Sequence, residues 1–343
     1  MLLVIKSLHG LLQSSSMAVL DDVRTTADHL SFAVPAEHEA DYLALLSATD
    51  IAAQAVLSQP DYQPVPELSA YPRTDVHRPD PEANRYRAWA WKVSIDGKRG
   101  GVLDGKTVCL KDTICVADVP QLFGSNAISR GFRPISDATV VTRVLDQGGL
   151  IVGKAMCENF SHGPCSHSTP FGPVENPYAA GFSAGGSSSG CGALIGSGEV
   201  DMGIGGDQGG SIRIPAAHCG LVGLKPSFGL VPYTGVLSSE PTVDAIGPMA
   251  RTALDAARLL EAIAGSDAID DRQLGAPSRS EVMPYAQSVL DSRKVGIQGL
   301  RIGVLKEGFA SSHLHSGVNQ RCRAAIHHLA EMGAIVEDVS VPL

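Results

Sequence analysis

The 343-residue chain has no basic excess: 27 Lys and Arg stand against 36 Asp and Glu, a formal net charge of −9. That excludes a protein built to hold nucleic acid or an anionic membrane through non-specific charge. No apolar run approaches the roughly 18 residues of a membrane span. Cysteine is sparse: there are seven, an odd number, scattered along the chain. They do not form the dense framework of a small secreted domain, and reduced thiols in a cytoplasmic protein are the expectation. There is no internal repeat. The N-terminal MLLVIKSLHGLLQSSS has no clean apolar stretch because Lys6, His9 and Gly10 interrupt it, so it does not read as a signal peptide. Residues 1–16 read as a weak extension, with Met17 an alternative start.

What is present is ordinary globular composition, 44% hydrophobic and 18% charged, with a glycine excess (37 residues) concentrated in 181–229. The length suits about two domains or one large α/β domain. Residues 17–58 carry a helical apolar face, and 59–81 hold six prolines and form an irregular connector. Tyr86, Trp89 and Trp91 predict a short packed helix over 82–95, so 17–99 forms an N-terminal helical region. From residue 100, the KTVCLK of Lys106–Lys111 predicts a strand, Ser136–Gln147 a helix capped by Ser136, and Leu150–Met156 a buried strand. Thr252 to Asp255 form a capping box and Gly265 a stop, bracketing a helix. Residues 300–341 read strand, helix over 317–332, strand: a βαβ unit, which makes the sheet at least partly parallel.

Three motifs point away from their usual chemistry. Gly100–Thr107 (GGVLDGKT) fits a phosphate-binding loop letter by letter but runs into a strand pattern rather than a helix. Gly181–Gly185 (GFSAG) fits a nucleophile elbow, yet no apolar strand precedes Ser183. The Cys157, His162, Cys165, His167 stretch lacks the ligand spacing of a zinc site. The loop 158–168 instead reads as a pocket wall, with no metal.

The chemistry lies in Gly185–Gly190 (GGSSSG) together with Asp207-Gln-Gly-Gly-Ser211-Ile-Arg213-Ile-Pro215. Gly209 and Gly210 permit a tight turn whose consecutive N–H groups form a nest for an anion or oxyanion. Ser211 follows at once, where a hydroxyl can attack a carbonyl seated in that nest. Asp207 and Arg213 flank the turn and can pair to hold its shape.

These blocks, with VCLKD at 108–112 and Gly247–Met249 (GPM), resemble the amidase signature family over about 100–340, and the DQGGS version resembles the amidases of nitrile-pathway and enantioselective type. The resemblance implies a central mixed, partly parallel β-sheet flanked by helices on both faces. It implies a Ser–Ser–Lys triad: Ser211 as nucleophile, Ser187 as the bridging serine behind a cis peptide, Lys111 as base. The N–H groups of Gln208, Gly209, Gly210 and Ser211 match the oxyanion hole. A serine hydroxyl needs a base, and lysine serves only when neutral, so Lys111 must be buried enough to titrate well below its ordinary value of about 10.4. The implied reaction is hydrolysis of a small amide to acid and ammonia, with no cofactor, no metal, no nucleic acid and no membrane. A homodimer is the one protein partner left open. A glutaminase-type amidotransferase subunit shares the triad and is the alternative; a truncated, non-catalytic homologue is the third.

The chain departs from the family's pattern at Gly206, where Thr or Ser is usual, at Asp118, where Gly is usual, and at Cys191 and His218. Family members continue past a point like Leu343, so the resemblance implies a core incomplete at the C-terminus.

Overall fold

The structure is a computed structural model and describes residues 19–59, 64–128 and 131–342. The expected extension 1–16 and Met17 lie outside the described residues. The chain divides into two compact units, Met1–Gln63 and Pro64–Leu343. The first contains α1 (Leu20–His29) and α2 (Glu39–Leu57), the helices that 17–58 predict. Asp21 and Asp22 sit in the first turn of α1 and complement the helix dipole.

The second unit carries β1 (Thr74–His77), β2 (Trp89–Ile95), β3 (Thr107–Lys111), α3 (Thr139–Asp146) and β4 (Leu150–Ala155). Then follow β5 (Glu175–Asn176), β6 (Ala179–Ser183), α4 (Ser189–Gly196), β7 (Met202–Asp207), α5 (Arg213–His218), β8 (Val222–Gly223) and β9 (Ala245–Ala250). The remainder is α6 (Ala253–Ile263), α7 (Tyr285–Val295), β10 (Arg301–Leu305), α8 (Lys306–Phe309), α9 (Ser316–Glu331) and β11 (Ile335–Val339). Seven strands form one sheet in the order β1-β2-β4-β3-β7-β9-β8. Its centre, β4-β3-β7, is parallel and its flanks are antiparallel, the mixed sheet that the family resemblance implies.

Alternation along β3 sends side chains to opposite faces. Val108 and Leu110 join α3 and α6 residues in one buried cluster, while Cys109 joins α4 and α5 residues in another. Helices therefore cover both faces. The strand that carries Lys111 lies at the centre of the sheet, far from an edge where a lysine would reach water.

Four local expectations need correction. Residues 89–95 form strand β2, not a helix: Val93 and Ile95 are buried while Lys92 and Ser94 are only half-buried, a period of two that the aromatic cluster obscures. Because β1 and β2 join the sheet, the second unit begins at Pro64 rather than near residue 100. Helix α3 starts at Thr139 with Ala138 in the capping position, so Ser136 lies too far upstream to cap it. Strands β10 and β11 do pair in parallel around α9, but as a separate two-stranded sheet.

Other local readings hold. Asp118 adopts φ 62°, the left-handed conformation for which the family resemblance leads one to expect glycine, and Asp tolerates it better than most residues. Thr252 Oγ1 accepts the Asp255 N–H at 3.1 Å and caps α6. Replacing Thr252 by Ala should cost about 1 kcal/mol and lower the melting temperature by about 2 °C, read by thermal denaturation; an unchanged melting temperature contradicts the cap.

Candidate active site

Lys111 ends β3 with its side chain entirely buried. Its Nζ donates to Ser187 Oγ at 2.7 Å and to the Gly206 carbonyl at 3.3 Å. Burial pushes the amine below its ordinary value, and Cys157, Cys191, Asp207 and Asp244 oppose that shift without reversing it. Ser187 is also fully buried, and the Gly186–Ser187 peptide bond is cis. A Cβ on Gly186 would meet the Cys165 carbonyl oxygen at 2.4 Å, so only glycine lets the 158–168 loop lie against this block. The Ser188 N–H donates to the Ser211 carbonyl at 3.3 Å, which sets the two serine-bearing segments side by side.

The turn after β7 is built around Asp207, which has no exposed surface. Its carboxylate accepts the Gly210 N–H at 2.8 Å and the Ile212 N–H at 3.1 Å. It also takes a bidentate pair from Arg213, Nε at 3.0 Å and Nη2 at 2.8 Å. Burial alone would raise this carboxyl, but the Arg213 guanidinium and the backbone donors outweigh it and hold it below the usual range. The expected pairing of Asp207 with Arg213 is thus present. Gly210 is a correction: its N–H serves Asp207, at φ 137°, and does not point to an oxyanion. The N–H groups of Gln208, Gly209 and Ser211 have no acceptor among the described residues. Gln208, Gly209 and Ser211 line one cavity of about 380 Å³, and residues 161–164 of the anticipated wall loop line it too.

The chain matches the protein-family model Amidase over residues 69–343. The chain belongs to the amidase family. It is 43% identical over 288 residues to an enantioselective amidase of Rhodococcus rhodochrous, covering 81% of this chain and 54% of that protein. It is 38% identical over 277 residues to a glutamyl-tRNA(Gln) amidotransferase subunit of Gloeobacter violaceus, covering 78% and 54%. Among solved structures, a glutamyl-tRNA(Gln) amidotransferase subunit of Thermotoga maritima superposes with TM-score 0.68 at 31% identity, covering 76% of this chain and 55% of that one. A peptide amidase from Stenotrophomonas maltophilia superposes with TM-score 0.63 at 36% identity, covering 71% and 49%. The chain spans about half the length of the curated relatives it matches.

Around this amidase-family site stand residues that sequence reasoning did not single out. Asp244, buried beside the turn, accepts Gln208 Nε2 at 2.8 Å, Ser238 Oγ at 2.6 Å, and the N–H groups of Ser239 and Glu240 at 3.2 and 3.1 Å. Arg272 Nη1 approaches it at 3.4 Å. One carboxylate therefore ties Gln208, in the turn after β7, to Ser239 and Glu240, which line the same cavity. Behind Lys111, Lys154 of β4 and Asp112 are both fully buried and 3.4 Å apart. Burial raises the Asp112 carboxyl above its ordinary value, against the pull of Lys154 and of the Leu122 and Phe123 N–H groups. No local pattern announces either cluster: Lys154 lies in an apolar run and is brought to Asp112 by strand pairing. The decoy motifs are structural. Gly100–Thr107 leads into β3, and Ser183 Oγ accepts from Gly185 N–H at 2.9 Å within a hairpin end. Among the described residues no cluster of His, Cys, Asp and Glu is arranged to hold a metal.

Proposed function

We propose that this chain hydrolyses a small carboxylic amide to its acid and ammonia through an acyl-Ser211 intermediate. The observation that carries the reading is the fully buried Lys111 amine 2.7 Å from Ser187 Oγ. With the amine neutral, its lone pair takes the Ser187 proton while Ser187 takes that of Ser211. The Ser211 oxygen then bonds the amide carbon. The developing oxyanion is received by the free N–H groups of Gln208, Gly209 and Ser211. The C–N bond breaks as the relay returns a proton to nitrogen, and ammonia leaves. Water, deprotonated by the same relay, hydrolyses the ester and restores Ser211. Enantioselective and peptide amidases among the relatives support this chemistry. We also place the protein in the reducing cytoplasm, a compartment that the seven free cysteines suit.

A fluorophosphonate probe tests it. Tandem mass spectrometry should map one adduct, on Ser211, and a panel of amides should release ammonia. An adduct on Ser183 or another serine, or a folded chain that neither labels nor releases ammonia, contradicts the proposal. The amidotransferase subunits among the relatives favour a second reading, a glutaminase-type subunit. That reading expects glutamine to be the preferred amide and turnover to require a different partner protein. The hydrolase reading expects turnover by the chain alone or as a homodimer.

A further inference from the structure

Two carboxylates beside the cavity that holds Ser211 have cationic partners. Asp207 pairs with Arg213 at 2.8 Å and Asp244 with Arg272 at 3.4 Å. Glu240, on the cavity wall, pairs with no cation among the described residues. It is nevertheless held in place. Its Oε1 accepts Thr242 Oγ1 at 2.7 Å and the Thr242 N–H at 3.3 Å, and its own N–H donates to Asp244 at 3.1 Å. Oε2 takes no hydrogen bond among the described residues. Among those residues no Lys or Arg lines the cavity, and the other ionisable lining residue, His162, directs Nδ1 at the Phe160 carbonyl, 2.8 Å away. The wall therefore presents a carboxylate with no cationic partner among the described residues to whatever enters.

We propose that Glu240 selects for amides whose acyl portion carries an ammonium group and against those carrying a carboxylate. This rests on the amide-hydrolase reading above and adds the substrate's charge to it. A fixed charge in a cleft concentrates ligands of opposite sign and repels those of like sign. Because Glu240 is exposed, the preference is modest, about fivefold in each direction.

The test uses three carboxamides of one carbon skeleton, bearing at the end far from the amide a methyl, an ammonium or a carboxylate group. Binding is measured by calorimetry on the Ser211→Ala chain, where turnover does not interfere, and ammonia release on the unaltered chain. The expected order of affinity is cationic, neutral, anionic, with about fivefold steps that shrink in high salt and collapse in Glu240→Gln. Thr242→Val, which frees the carboxylate, should lose part of the preference. Equal affinities, no binding of any of the three, or an order that survives Glu240→Gln overturns the inference. Charge-ordered binding with no ammonia from any amide overturns the hydrolase reading and leaves the selectivity standing. Ammonia release without charge ordering does the reverse.

Discussion

Lys111→Met should lower kcat/KM for amide hydrolysis by about 10²- to 10⁴-fold, the scale of a lost general base, while the protein stays folded. Methionine fills nearly the same buried volume, so no cavity opens. The Gly206 carbonyl keeps a second partner in Ser188 Oγ at 3.2 Å, and only the Ser187 hydroxyl is left unpaired. That loss is about 1–3 kcal/mol, offset by no longer burying an ionisable amine. The pH profile separates a base from a packing residue. In the unaltered protein kcat/KM should climb with pH as Lys111 loses its proton, and the limb should lie below the ordinary lysine range because burial favours the neutral form. In Lys111→Met that limb should vanish. Stability follows the same linkage. Between the lowered folded value and about 10.4, the unfolded chain binds more protons at Lys111 than the folded one. The stability of the unaltered protein relative to Lys111→Met should therefore rise with pH across that window. Urea titrations at several pH values check it, and a pH-independent difference contradicts a neutral buried amine.

The second large effect is expected at Asp207. Asp207→Asn keeps one carbonyl oxygen for the Gly210, Ile212 and Arg213 donors but turns an NH2 group toward the others. At least one buried N–H loses its acceptor, about 1–3 kcal/mol, and the turn that aims the Gln208, Gly209 and Ser211 donors loosens. The kcat should fall about 10²- to 10³-fold, as when an oxyanion donor is removed, with KM changed far less. Arg213→Gln should lose less, since that side chain is 52% exposed and its pair with Asp207 is partly screened. The acid side gives a further check. With its folded value depressed, Asp207 contributes stability above the ordinary carboxylate range, lost as pH falls through the folded value. Asp207→Asn should lack this acid-dependent loss. An Asp207→Asn chain with unchanged kcat would mean that the turn plays no part in turnover.

The legibility of this molecule in its sequence follows the range of the interactions. Strands β3 and β4 announce themselves as short apolar runs, and α6 by its Thr252 cap and Gly265 stop, all local signals. The proposed catalytic residues are readable because Ser187 and Ser211 lie in glycine-rich turns that impose a long, ordered pattern on the chain, with Lys111 at the end of β3 upstream of it. Strand β2 carries its alternation in plain letters, but the aromatic cluster of Tyr86, Trp89 and Trp91 at its start obscures it. Asp244, Arg272 and Lys154 are not readable at all. Their partners lie on other strands and loops, and nothing near them in sequence marks a buried charge. Gly210 shows the limit within a recognised motif: its neighbours fit the oxyanion role, but Asp207 three residues earlier captures its N–H.

The most direct measurement is a pH titration of the Lys111 side chain itself by NMR, following its Cε and Nζ resonances in protein labelled with ¹³C and ¹⁵N lysine and assigned by comparison with Lys111→Met. The account predicts that this lysine releases its proton below the range of the exposed lysines and is the one resonance whose titration tracks the rise of kcat/KM. A Lys111 that stays charged up to about 10.4 contradicts it.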